Sequence, residues 1–196
     1  MPTALRFERA RSALWVFAPT FCRTSVPVVA ARSSLRRRLS AFPRTHSLPV
    51  IMVGPGTGIA PMRALLQERE FRKGTGKNVL FFGCKHQQED YIYRDELEGF
   101  QQRNVLNELH LAFSRDQADR IHVQTLMKRP ETAKALMGYL DQGGYLFVCG
   151  ATAMGNDVHA TLVKIVEAEK KLDKAGAEAY VKTLKDTHRY VQELWS

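Results

Sequence analysis

Four short apolar runs, Val50–Val53, Val79–Phe82, Leu109–Phe113 and Tyr145–Cys149, recur along the chain, and between them lie longer segments of helical periodicity. Runs this short and rich in β-branched and aromatic residues read as strands, and apolar character on both of their faces requires cover on both faces. Strands separated by helical segments cannot pair as hairpins. They pair in parallel through crossovers. The pattern predicts an α/β domain, a doubly wound parallel sheet, with the final run Tyr190–Trp195 able to rejoin it.

The intervening segments predict helices. Pro61 to Arg72 places Met62, Leu65, Leu66 and Arg69 on one side before Gly74 and Gly76 end it, with Pro61 as the first helical residue. Arg94 to Arg103 turns Leu97 and Phe100 inward. His122 to Lys128 and Glu131 to Leu140 form one broken helix or two, divided at Pro130. Met154 to Lys171 and Asp173 to Thr187 are long helical segments.

The turn after the first strand, Gly54-Pro-Gly-Thr-Gly-Ile-Ala-Pro61, runs straight onto a helix. Gly54, Gly56 and Gly58 permit a sharp turn and a close approach to a ligand, and free helix N–H groups beside the Thr57 hydroxyl make a site for a pyrophosphate. Ile59 stands where the third glycine of the dinucleotide fingerprint would fall, so the loop alone also reads as an ordinary strand-to-helix turn.

In a doubly wound sheet, ligands bind at the carboxyl ends of the strands. Those ends here carry Gly54–Gly58, then Gly83-Cys84-Lys85, then Ser114-Arg115, then Cys149-Gly150 leading to Met154 and Asp157. Ser114 and Arg115, with Arg120 and His122 beyond, offer a hydroxyl and a guanidinium fork, which suits a ribose 2′-phosphate. Surface basic residues on a helix are the alternative. Cys149 reads from position alone as a small core residue, and Asp90-Tyr-Ile-Tyr-Arg94 as the cap and start of a helix.

The net charge of +9 is lopsided: residues 1–48 hold nine arginines, no lysine and a single acid, Glu8, so the rest of the chain is nearly neutral. Without interleaved aromatics, Arg36-Arg37-Arg38 reads as a solvated stretch, and no nucleic-acid partner is expected. Three widely spaced cysteines, Cys22, Cys84 and Cys149, match neither a disulfide framework nor a metal site, which fits a reducing, cytoplasmic setting. The apolar run Ala13–Ala18 is far short of the roughly 20 residues of a membrane span. The Arg- and Ser-rich composition of residues 1–48 overlaps that of a transit peptide, leaving a mitochondrial location open.

From Pro49 to Ser196 the chain resembles the NADP(H)-binding domain of the ferredoxin–NADP reductase superfamily, and within it the diflavin reductases of the NADPH–cytochrome P-450 reductase type. The landmarks are the Gly54–Pro61 turn, Phe82-Gly-Cys84, Asp90-Tyr-Ile-Tyr-Arg-Asp-Glu-Leu97, Ala112-Phe-Ser-Arg-Asp-Gln117, Val123-Gln124, Val148-Cys-Gly150, Arg189-Tyr190 and Trp195-Ser196. The resemblance implies an NADPH-dependent oxidoreductase module that passes hydride to FAD, with FMN elsewhere in the full-length family. It also implies a haem-protein acceptor and a position in the cytoplasm or on the cytosolic face of the endoplasmic reticulum. A sulfite-reductase or methionine-synthase-reductase type module, or a non-catalytic NADP-binding remnant, fits the same residues.

The resemblance assigns Gly56, Thr57 and Gly58 to the pyrophosphate, and Ser114 and Arg115 to the 2′-phosphate. Arg120 and His122 replace the family's lysine and tyrosine, Gln124 matches, and Glu193 replaces an aspartate. Cys149 and Glu193 would form the catalytic group beside the nicotinamide, Met154 and Asp157 would touch it or its ribose after a one-residue deletion, and Trp195 would stack on the flavin. The flavin-holding barrel motif is not found in residues 1–48, although Ser25–Leu35 faintly resembles the end of that barrel; these residues are expected to be a barrel remnant rather than a transit peptide.

Overall fold

The computed structural model describes residues 46–196, so nearly all of the basic segment 1–48, with its two alternative readings, lies outside the described residues. Five strands, β1 (Val50–Val53), β2 (Asn78–Cys84), β3 (Glu108–Phe113), β4 (Tyr145–Ala151) and β5 (Tyr190–Trp195), form one sheet in the order β3-β2-β1-β4-β5. Every pairing is parallel, with Val50 opposite both Asn78 and Tyr145.

The helices are α1 (Ile59–Phe71), α2 (Gln87–Asp90), α3 (Arg94–Gln102), α4 (Val123–Met127), α5 (Pro130–Asp141), α6 (Thr152–Lys170) and α7 (Lys174–Asp186). Side chains alternate across a strand, so each strand feeds two cores. Ile51, Val53, Phe81 and Val148 meet α4 to α7 through Val123, Leu136, Val158 and Val181. Val50, Met52, Leu80 and Phe147 meet α1 and α3 through Met62, Leu66, Leu97 and Phe100. All four residues of β1 are fully buried, the two-sided cover that an all-apolar strand demands.

The element boundaries depart from the sequence expectation at helix starts. α1 opens at Ile59, and Pro61 is its third residue rather than its first; the missing N–H is still one that no carbonyl of the helix could have bonded. α6 opens at Thr152, ahead of Met154. Pro130 divides α4 from α5 and stands first in α5. Asp173 precedes α7 as its cap, its carboxylate accepting from the Gly176 amide at 2.8 Å. Among the described residues no helix is long and apolar enough to cross a membrane.

At the amino end of the sheet, a buried arginine fastens the chain as it enters. Arg69 on α1 donates to the carbonyls of Leu48 at 3.1 Å and Gly76 at 2.8 Å, and burial lowers its pKa to about 10, so it stays charged at neutral pH. The strand order places the opposite, carboxyl end under a different constraint. After β1 the chain moves to β2 and β3 on one side, then returns to β4 on the other, so the loops leaving β1 and β4 diverge and open a crevice.

Candidate functional site

The loop leaving β1 is shaped by close approach. A Cβ at Gly58 would stand 2.0 Å from the Cys149 carbonyl oxygen, and one at Gly54 would stand 2.6 Å from the Gly58 carbonyl oxygen. Gly56 takes φ 56°, the left-handed region, at the start of a single 3-10 turn. The loop therefore lies flat against the end of β4. α1 continues directly from the 3-10 turn, whose carbonyls accept the Ile59 amide, and Pro61 carries no N–H, whereas α6 begins there without a side-chain cap, leaving its first-turn N–H groups to a ligand or to water.

Beside this loop, the ends of β2 and β3 and the first turns of α4 and α6 enclose a cleft of about 410 Å³. Of the residues expected in the site, Ser114, His122, Gln124, Met154 and Asp157 line it. Gly56 and Thr57 are exposed on the adjoining loop, and Arg115 and Arg120 are exposed on the loop that continues from Ser114. Met154 and Asp157 line the cleft from the first turns of α6, which follows β4 without an intervening loop. Its Met154 methyl sits where a Cβ on Gly150 would stand, 2.5 Å away.

Lys85, read from the sequence as a strand-end residue but given no role in the site, also lines the cleft. Its signal was available: it follows a strand end directly, as Ser114 does. Among the described residues Lys85, Arg115 and Arg120 take part in no ion pair, so their cationic groups are available to an anion, with Asp157 the acid that lines the cleft. Inside, the buried side-chain oxygen of Gln124 accepts no hydrogen bond. A buried acceptor without a donor is costly.

The other three expected residues stand apart, at the β4–β5 edge. Cys149 pairs with Glu193 and Ala151 with Trp195. Cys149 is 1% exposed and packs with the α1–α3 core, and burial first, then Glu193, pushes its thiol up to about 12. It is protonated at neutral pH and so cannot serve as a thiolate nucleophile. Trp195 is half-buried against the same core, and its carbonyl accepts from the Thr152 hydroxyl at 3.2 Å.

A nicotinamide dinucleotide phosphate fits these groups. The exposed Gly56–Thr57 turn, with nothing within 4 Å of a Cβ at Gly56, leaves room for a phosphate close to the backbone, and the polar groups of Lys85, Ser114, His122 and Gln124 line the cleft beside it. Residues 52–160 match the family model described as an oxidoreductase NAD-binding domain, and the chain belongs to that family. Individual relatives narrow the class. The chain is 41% identical over 155 residues to the sulfite reductase [NADPH] flavoprotein alpha-component of Vibrio parahaemolyticus, covering 79% of this chain and 25% of the relative. It is 40% identical over 180 residues to the NADPH–cytochrome P450 reductase of Oryctolagus cuniculus, covering 89% and 26%, and 38% identical over 184 residues to that of Musca domestica, covering 91% and 26%. The chain thus spans about a quarter of the length of these curated relatives.

Proposed function

We propose that this domain binds NADPH and presents it to a flavin held mainly by another domain, as the nucleotide-binding part of a flavoprotein reductase. The observation that carries the reading is one cleft at the switch point, lined by Lys85, Ser114, His122 and Gln124 and bordered by the open, left-handed Gly56 turn and the uncapped start of α6. Bound NADPH supplies a hydride; the protein supplies position and electrostatics. Gly56, Thr57 and Gly58 would hold the pyrophosphate, and Ser114 and Arg115, with Arg120 and His122, the 2′-phosphate. Gln124 would accept a hydrogen bond from the nucleotide. Met154 and Asp157 would contact its ribose or nicotinamide end. Cys149 and Glu193 would flank the ring end, and Trp195 would cover the flavin face. In this reading Cys149 acts as a neutral thiol.

FAD is the expected hydride acceptor, with FMN and then a haem protein further along. Relatives named for cytochrome P450 and for sulfite support that general route in equal measure. The nucleotide reading is tested by calorimetric titration of the chain with NADP⁺ and NAD⁺. Leaving the phosphate subsite empty costs about 2 kcal/mol or more, so NADP⁺ is expected to bind roughly 30-fold more tightly or better. Comparable dissociation constants would overturn the proposal.

A further inference from the structure

The loop carrying Ser114 and Arg115 is exposed, yet it is tied on both sides. The β2–β3 ladder continues past the strand ends, with the Ser114 amide donating to the Cys84 carbonyl at 2.9 Å and the Arg115 amide to the Lys85 carbonyl at 3.0 Å. The next residue closes the connection. Asp116 accepts from the Gln87 amide at 2.8 Å through one carboxylate oxygen and from His86 Nδ1 at 2.9 Å through the other. His86 is fixed in turn, its amide donating to the Asp90 carboxylate at 3.0 Å. On the far side, the Gln117 side chain donates to the carbonyls of Phe113 and Asp119.

We infer that the Asp116–His86–Gln87 contact is a specificity brace: it holds Ser114 and Arg115 opposite Lys85 in the geometry that a ribose 2′-phosphate requires. A lone carboxylate beside a phosphate subsite opposes binding, but both oxygens of Asp116 are engaged by donors, the Gln87 amide and His86 Nδ1. The Gln87 amide, and after it His86, hold the Asp116 carboxyl below the usual carboxylate range. A part-exposed pair of this kind contributes little to global stability. Its effect lies in fixing the backbone that carries Ser114 and Arg115 before the ligand arrives, an ordering cost that otherwise has to be met on binding. Asp116 and His86 are therefore positioning residues.

The inference rests on the nucleotide reading above, and the experiment separates the two. The full chain and its Asp116→Ala, Asp116→Asn and His86→Gln variants are titrated with NADP⁺ and with NAD⁺, and their melting temperatures are recorded. Asp116→Ala is expected to weaken NADP⁺ roughly fivefold, to leave NAD⁺ within about twofold, and to melt with the parent. Asp116→Asn, which keeps an acceptor for the Gln87 amide, is expected to lose less. Equal loss for both nucleotides, no loss, or a gain in NADP⁺ affinity would overturn the brace. A parent that fails to prefer NADP⁺ would overturn the nucleotide reading itself.

Discussion

Cys149 shows how burial turns a reactive residue type into an inert one. A thiol whose pKa rises from 9.0 to about 12 on folding keeps its proton in the native state while the unfolded chain loses it. Above about pH 9 the unfolded state therefore binds fewer protons, so stability falls as pH rises through the window from 9 to 12. Between pH 7 and pH 10 this one thiol is expected to remove about 1 kcal/mol, measured as the urea-unfolding free energy of the parent relative to Cys149→Ala. Equal pH dependence in the two proteins would show that the thiol is not the source. At this scale the sequence was legible where a residue's position alone decides its environment. Cys149, following a buried strand, reads as core and is core. Asp116 and His86 gave no signal, because their contact joins two loops 30 residues apart and exists only after the strands pair.

At the scale of elements, the strands were legible because short β-branched runs between turn residues have few alternatives, and the sheet contains every run that the sequence marked. Helix starts were less so. α2 is a four-residue polar helix with no apolar period, and no pattern distinguishes it from a loop. α1 begins two residues before the proline that marked it, since the glycine loop continues into helical geometry without needing a cap residue. The inward face of α1 was legible down to Arg69, but not its partners. Those partners make a prediction. Arg69→Leu leaves the Leu48 and Gly76 carbonyls without their donor and is expected to destabilise the fold by about 2–4 kcal/mol. Because Arg69 sits at the amino end of the sheet, the NADP⁺ dissociation constant of the folded fraction is expected to be unchanged. The urea midpoint and a calorimetric titration check the two halves of that statement.

At the scale of the whole molecule, the centre of the sheet joins its first strand to its fourth. β1 pairs with β2 nearby in sequence but also with β4, where Val50 meets Tyr145, about 95 residues later. Closing so long a loop is slow and entropically costly, and non-local pairing of this kind dominates the folding time of parallel sheets. The Gly58–Cys149 contact that floors the crevice depends on that pairing, so the crevice is among the last features to exist. A nucleotide can then reward only the finished molecule. In stopped-flow experiments NADP⁺ is expected to slow unfolding while leaving the refolding rate unaltered, as for any interaction absent from the transition state. On a ribosome the same order of events lets β1, with its four fully buried residues, pair with β2 early but leaves its other edge waiting until β4 has emerged. During that interval the nascent chain depends on other means, such as chaperones, to keep its apolar edge from pairing with a neighbour.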